Sequence, residues 1–300
     1  MTRVAFVGLG HMGSHMCRHV VEAGFDVTAY DLNPSAVEQA ARDGARPGSS
    51  LQACVRNAEI LVTSLPGPPQ VDEVLTAADG AIASLQPGSL IIEMSTSSLE
   101  VGRKAQAAAQ ARDLVLIDAP VAGQTIGAEA GTLAVYVGGE DAAVARARPV
   151  LEAMGDPQRI FHLGPAGSGY AVKLLLNLLW FVQCVATGEA LTMGVRAGVP
   201  LDKLHAALVN SPANSVFLER DVLPLLSSGD YDEGFAMQLV TKDLGLAVGL
   251  ARDTGVPAEL SALVEQIHRR ARAAYGDDAG EMSAIRLYED LAQTRLRWPT

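Results

Sequence analysis

The sequence predicts an α/β chain: a doubly wound parallel sheet with helices on both faces, followed by an all-α domain. Three observations carry that expectation. Through the first half, short apolar runs alternate with helical patterns, the texture of repeated βαβ units. A glycine cluster, Gly164-Pro165-Ala166-Gly167-Ser168-Gly169, then interrupts the pattern. Beyond it, the extended periodic stretches all have helical spacing.

The strands follow in order. Val4–Val7, Val27–Tyr30, Ile60–Thr63, Leu90–Glu93 and Val115–Ile117 are apolar runs of strand length, mostly flanked by turn residues. Between them, Pro34–Arg42 and Glu100–Ala111 are Ala-rich and helical in spacing. Leu133–Val137 and Arg159–His162 are expected to close this domain, which gives a boundary near residue 163 and domains 1–163 and 164–300. In the second, helices are expected over Tyr170–Arg196, Leu201–Val209, Phe235–Thr254 and Pro257–Tyr275. Pro200 and Pro257 are expected in first helical turns, where the missing N–H costs nothing.

Composition removes several function classes. With 300 residues, 49% hydrophobic and 19% charged, the chain can bury a sizeable core and is not disordered. A formal net charge of -11 without a long basic run argues against a nucleic-acid partner. The short cluster Arg269, Arg270 and Arg272 reads as a solvated helix face. Cys17, Cys54 and Cys184 are odd in number and lack paired spacing, which fits a reducing compartment and neither disulfides nor a metal site. Met1 leads straight into a strand with no signal-peptide pattern. The apolar stretch Leu174–Val182, interrupted by Asn177, is too short to cross a bilayer. A soluble cytoplasmic protein with no membrane partner is the expectation.

The first strand runs directly into Gly8-Leu9-Gly10-His11-Met12-Gly13 and then a helix, the strand–turn–helix context that a dinucleotide-binding G-x-G-x-x-G requires. Gly8 allows the tight turn, Gly10 lets main chain approach a pyrophosphate, and Gly13 lets helix and strand pack closely. The helix N-terminus supplies N–H groups and positive potential for phosphates. Asp31 ends the second strand about 20 residues on, where an acid accepts hydrogen bonds from the ribose hydroxyls. Asp31-Leu32-Asn33-Pro34 offers no Arg, and a carboxylate repels a 2′-phosphate, so NAD is expected over NADP. Asp31 could instead cap the Pro34 helix, although Asn33 is better placed for that. Together these features predict a Rossmann domain.

Lys173 and Asn177 stand four residues apart on an apolar helix and so share a face. Polar groups on such a surface need partners or a task. Spacing alone leaves open a lysine that reaches to water beside an asparagine held by a neighbouring helix.

Four ordered motifs resolve the matter by resemblance: Gly8–Gly13; Asp118-Ala119-Pro120-Val121-Ala122-Gly123; Gly167-Ser168-Gly169 through Lys173 to Asn177; and Lys242-Asp243-Leu244-Gly245-Leu246-Ala247. Over essentially its whole length the chain resembles the β-hydroxyacid dehydrogenases, which include 3-hydroxyisobutyrate dehydrogenase and the 6-phosphogluconate dehydrogenase relatives. The resemblance implies a Rossmann domain joined by a long helix to an all-α domain, with a homodimeric or homotetrameric assembly. It implies Lys173 as general acid/base and Asn177 as a substrate-holding residue. Thr96, after the Leu90–Glu93 strand, and Leu65 and Pro66, after the preceding one, would lie on the nicotinamide side of the cofactor. Lys242 would stand close to cofactor and active site, the alternative for Lys242 and Asp243 being an ordinary ion-paired helix surface.

One motif departs from the family pattern. Where the substrate loop usually carries Ser followed by two glycines, this chain reads Ala122-Gly123-Gln124-Thr125. The hydroxyl that in the family binds substrate is missing; either Gln124 or Thr125 replaces it, or the substrate needs no donor there. The expected reaction is hydride transfer between NAD and a small β-hydroxy acid such as 3-hydroxyisobutyrate, or its semialdehyde. A lysine base working at neutral pH needs its pKa lowered from about 10.4 towards roughly 7–8. Two alternatives are a dehydrogenase or reductase of a non-standard small substrate (a sulfonate, amino alcohol or imine) and a non-catalytic NAD-binding scaffold.

Overall fold

A computed structural model describes residues 1–232 and 234–298. The chain divides into two compact units, Met1–Lys173 and Leu174–Thr300. In the first, the strands are β1 (Arg3–Val7), β2 (Asp26–Tyr30), β3 (Arg46–Pro47), β4 (Ile60–Thr63), β5 (Leu90–Glu93), β6 (Val115–Asp118), β7 (Val121–Ala122), β8 (Leu133–Gly138) and β9 (Gly155–Gly164). The helices between them are α1 (Gly13–Glu22), α2 (Pro34–Arg42), α3 (Leu51–Val55), α4 (Pro68–Thr76), α5 (Ala81–Ser84), α6 (Leu99–Gln110), α7 (Gln124–Ala130) and α8 (Asp141–Met154).

The sheet order is β3-β2-β1-β4-β5-β6-β8-β7, with β9 beside β8. From β3 to β6 every neighbouring pair is parallel. The parallel rule stops there. β8 runs antiparallel to both β6 and β7, and β9 returns parallel to β8. The link from β6 to β8 is occupied by two-residue β7 and seven-residue α7, and it reverses the chain instead of crossing over.

Alternation along the strands feeds two cores. Val4, Phe6, Ile60, Val62, Leu90 and Ile92 pack on one face, and Ala5, Val7, Leu61 and Ile91 on the other. Both faces are buried, which is why these strands read as continuous apolar runs. Burying one Ile or Leu side chain contributes about 1.5–3 kcal/mol. Truncating Ile91, which is fully buried, to Ala is expected to cost about 2–5 kcal/mol. The α2 helix begins where the sequence places it: Asn33 Oδ1 accepts the Ser35 N–H, and Pro34 occupies the first turn.

The long helix α9 (Ser168–Arg196) carries the chain out of the first unit. After it come α10 (Leu201–Val209), a π-helical turn at Phe217–Asp221, α11 (Leu223–Ser228), α12 (Met237–Thr254), α13 (Glu259–Tyr275) and α14 (Ser283–Ala292). Among the described residues of this unit, extended pairing is confined to a single bridge, Ala236 with Gly280. Its core gathers Phe181, Leu191, Phe217, Leu226, Leu244 and Ile285. Pro200 is the N-cap of α10, but Pro257 precedes the α13 N-cap, Ala258, and so lies just outside the first turn expected of it.

One expectation about the long helix is corrected by the structure. The α9 helix is long and apolar enough, by length and composition, to cross a bilayer: its most apolar 18-residue window has a mean hydropathy of 1.5 and is 33% buried. The helix extends beyond Leu174–Val182 in both directions, from Ser168 to Arg196. The arginine cluster of α13 lies on a solvated helix face as expected: Arg269 and Arg270 are exposed and Arg272 half-buried, with Arg269 pairing with Glu265 at 2.7 Å and Arg272 with exposed Asp277 at 2.7 Å.

Candidate active site

The glycine loop has the geometry its residues demand. Gly8 adopts φ +94°, and a Cβ there would stand 2.2 Å from the Ser64 carbonyl oxygen. A Cβ on Gly13 would stand 2.0 Å from the Gly8 oxygen, so α1 can start only against a glycine. Gly10 differs: a Cβ there meets nothing within 4 Å. The space above Gly10 is open, as a main-chain cradle for a pyrophosphate must be. Leu9 and Gly13 are buried, Met12 is half-buried, and Gly10 and His11 are exposed.

Asp31 is tied to this loop. Its Oδ2 accepts the Leu9 N–H at 2.7 Å and its Oδ1 accepts the Asn33 N–H at 2.8 Å. The helix-capping alternative for Asp31 is thereby set aside, because Asn33 does the capping. The residues and open space here fit a dinucleotide: a carboxylate just after β2, an uncrowded glycine, and the N-terminus of α1.

The loops after β4 and β5 are joined, since Ser95 Oγ accepts the Leu65 N–H at 2.8 Å. Leu65 and Thr96 are half-buried and Pro66 is exposed. In the substrate loop, Ala122 of β7 pairs with Ala134 of β8. Gly123 has φ +135°, and Gln124, which opens α7, has φ +56°, a left-handed conformation that favours glycine. Gln124 and Thr125 are exposed.

Lys173 is half-buried and lies one turn before half-buried Asn177 on α9. In the helical unit, the Asn177 Nδ2–H donates to Asp243 Oδ2 at 2.7 Å. Lys242 Nζ stands 3.1 Å from Asp243 Oδ1. That pair is not an ordinary helix surface, for Asp243 is 1% exposed. A buried carboxylate held between an amide and an ammonium fixes which way both donors point.

Residues outside the sequence-derived set stand at the centre of the first unit. Glu93, fully buried at the end of β5, accepts the Tyr170 O–H at 2.5 Å and the Ser95 N–H at 3.0 Å. Asp118, buried at the end of β6, accepts the Gly167 N–H at 2.6 Å and the Tyr170 N–H at 2.9 Å. Burial pushes both carboxyls above the usual carboxylate range against the pull of these hydrogen bonds. Burial likewise raises Tyr170, which keeps its proton and donates it. A common signal was present: β5 and β6 each end an apolar run in an acid, as β2 is followed by Asp31. The three cysteines are buried; burial raises Cys17 and Cys54 to about 12 and Cys184 also upward, so none is poised as a nucleophile.

Residues 3–164 match the model of the NAD binding domain of 6-phosphogluconate dehydrogenase, and residues 167–288 match that of the NAD-binding region of NADP-dependent 3-hydroxyisobutyrate dehydrogenase. The chain is 37% identical over 277 residues to an NAD-dependent L-serine dehydrogenase of Pseudomonas aeruginosa, covering 90% of this chain and 92% of that one. It is also 37% identical to a 3-hydroxyisobutyrate dehydrogenase of the same organism, covering 89% and 91%. Among solved structures, the 3-hydroxyisobutyrate dehydrogenase of Mycobacterium tuberculosis with L-serine superposes with a TM-score of 0.89 at 33% identity, covering 96% of this chain and 99% of that one.

Proposed function

The chain belongs to the β-hydroxyacid dehydrogenase family, an NAD-dependent oxidoreductase of CH–OH groups, and from that we infer that Lys173 moves the proton in oxidation of a three- or four-carbon β-hydroxy acid. The observation that carries this reading is Lys173 one turn from Asn177, whose amide is held by buried Asp243. NAD, when bound, supplies the hydride acceptor. Neutral Lys173 accepts the substrate hydroxyl proton as hydride leaves the same carbon; in the reverse direction its ammonium returns that proton to oxygen. Asn177 orients the substrate, and Lys242 contributes positive charge beside Asp243. Gly8–Gly13 and Asp31 hold the adenosine and pyrophosphate, with Leu65, Pro66 and Thr96 towards the nicotinamide.

The relatives named for L-serine and 3-hydroxyisobutyrate support a substrate with a carboxylate two carbons from the reacting hydroxyl's carbon or its α-amino equivalent. Ala122 offers no hydroxyl, so in this reading main chain at Gly123 and the side chains of Gln124 and Thr125 take over the substrate loop's part. We assign cofactor binding to residues 1–163 and the remaining substrate contacts and assembly to 164–300. Exposed Leu175, Leu179 and Met193 on α9 support a homo-oligomer, and three buried thiols support the cytoplasm.

The test is a panel of L-serine, 3-hydroxyisobutyrate and their sulfonate and amino-alcohol analogues with NAD and NADP, run on wild type and Lys173→Ala. Turnover of a β-hydroxy acid with NAD, lost in the variant while NADH binding persists, is the expected result. A Lys173→Ala enzyme with near-normal kcat would overturn the proton-transfer role.

A further inference from the structure

The geometry points to Glu93 and Tyr170 as positioning residues for the reaction: a buried strut that sets the rotation of α9, and with it the aim of Lys173. This deepens the proton-transfer reading of Lys173 and rests on it.

Asp118 alone cannot set that aim. Its two oxygens hold the Gly167 and Tyr170 N–H groups, which fixes where the first turn of α9 begins. Main chain rides only about 2.3 Å from a helix axis, so bonds to backbone N–H groups resist rotation about that axis through a short lever arm. Side-chain tips ride about 5–6 Å from a helix axis, and a turn of about 10° carries them through about 1 Å. Displacements of that size are enough to lower a rate by up to about a hundredfold.

The Tyr170 ring is the lever that removes this freedom. It is 1% exposed and lies against Gly102 of α6, where a Cβ would stand 2.6 Å from Tyr170 Cε2. Its hydroxyl, at the end of the side chain farthest from the helix backbone, donates to Glu93 Oε2 at 2.5 Å. The other oxygen of the same carboxyl accepts the Ser95 N–H, and Ser95 Oγ accepts the Leu65 N–H. One buried group therefore references the helix of Lys173, three residues after Tyr170, to the loops of Leu65 and Thr96. Those are the loops assigned to the nicotinamide side, so the strut ties proton acceptor and hydride acceptor to one point. Burial keeps the phenol protonated and donating throughout the working pH range.

Tyr170→Phe tests this, because it deletes only the hydroxyl and keeps the ring against Gly102. The assay compares wild type, Tyr170→Phe, Glu93→Gln, the double variant and Lys173→Ala, with L-serine and 3-hydroxyisobutyrate as substrates and NADH fluorescence for cofactor affinity. Expected for Tyr170→Phe is a roughly tenfold fall in kcat, substrate KM within about threefold, NADH Kd within about twofold, and a displaced pH profile of kcat. The double variant is expected to match the worse single one, since both remove the same bond. A Tyr170→Phe kcat within threefold of wild type overturns the strut, whether or not the melting temperature drops. So does a kcat loss accompanied by an equal loss of NADH affinity, which would mark general loosening. A catalytically dead Lys173→Ala beside a normal Tyr170→Phe refutes only the strut; an active Lys173→Ala refutes the reading beneath it.

Discussion

The two units hide their acids for different purposes. In the sheet unit, Asp31, Glu93 and Asp118 accept mostly from main-chain N–H groups: Leu9, Asn33, Ser95, Gly167 and Tyr170. In the helical unit, Asp243, Glu265 and Glu289 hold mostly side chains: Asn177, Lys242, Arg269, Arg295 and Arg297. Loops at strand ends have main-chain donors that no ladder satisfies, and a carboxylate that collects two of them freezes the loop. Helices have already spent their N–H groups internally, so a buried acid there meets guanidinium, ammonium or amide. The first arrangement fixes backbone at the strand ends. The second orients side chains such as Asn177 and Lys242 and fastens the chain end.

Replacing acid by amide should separate the two modes. The largest effect is expected at Asp118→Asn, where an amide must turn its NH₂ towards one of two N–H donors. We expect a loss of about 3 kcal/mol in chemical denaturation followed by circular dichroism, and a wild-type curve would break the contrast. Glu289→Gln keeps an acceptor for the Leu296 N–H but loses charge pairing with Arg295 and Arg297. A loss of about 2–3 kcal/mol is expected, with faster hydrogen exchange confined to residues 294–298.

A pH titration sharpens the contrast, because the helical unit also buries a base. His268 is fully buried against Phe181, and burial lowers its pKa from 6.5 to about 4. Between those values the unfolded chain binds the proton and the folded chain does not. Its contribution is therefore unchanged above pH 6.5 and lost as pH falls, by about 2 kcal/mol at pH 5. Denaturation midpoints of His268→Leu against wild type from pH 7 to 4.5 should show a flatter slope in the variant. The smallest expected effect is at Asp31→Ala: NAD affinity falling about tenfold, or about 1.4 kcal/mol, by equilibrium fluorescence. Unchanged affinity would detach Asp31 from the cofactor.

Much of the fold was legible because the sheet unit spells itself locally. Strands buried on both faces read as unbroken apolar runs, and Gly8, Gly13, Asn33 and Pro34 each have one local role. The two-residue strands β3 and β7 were not legible, since two residues carry no period. Nor was the reversal at β8, which depends on what the connection can reach. The π-helical turn at Phe217–Asp221 and helix α14 lack the long repeat that revealed α12 and α13. At the site, motif residues stood out, while Glu93 and Tyr170 hid inside apolar runs. Their partnership spans 77 positions, a distance at which no pattern in one sequence speaks.

Asp31 bears on how such an enzyme can change allegiance between cofactors. Its two oxygens both brace main chain, at Leu9 and Asn33, so discarding the acid would also unbrace the glycine loop. The neighbouring Leu32 is 88% exposed and touches no core. Mutational drift is thus nearly free at Leu32 and taxed at Asp31. Descendants that come to use a phosphorylated dinucleotide would be expected to add a cation beside the acid before they ever surrender it.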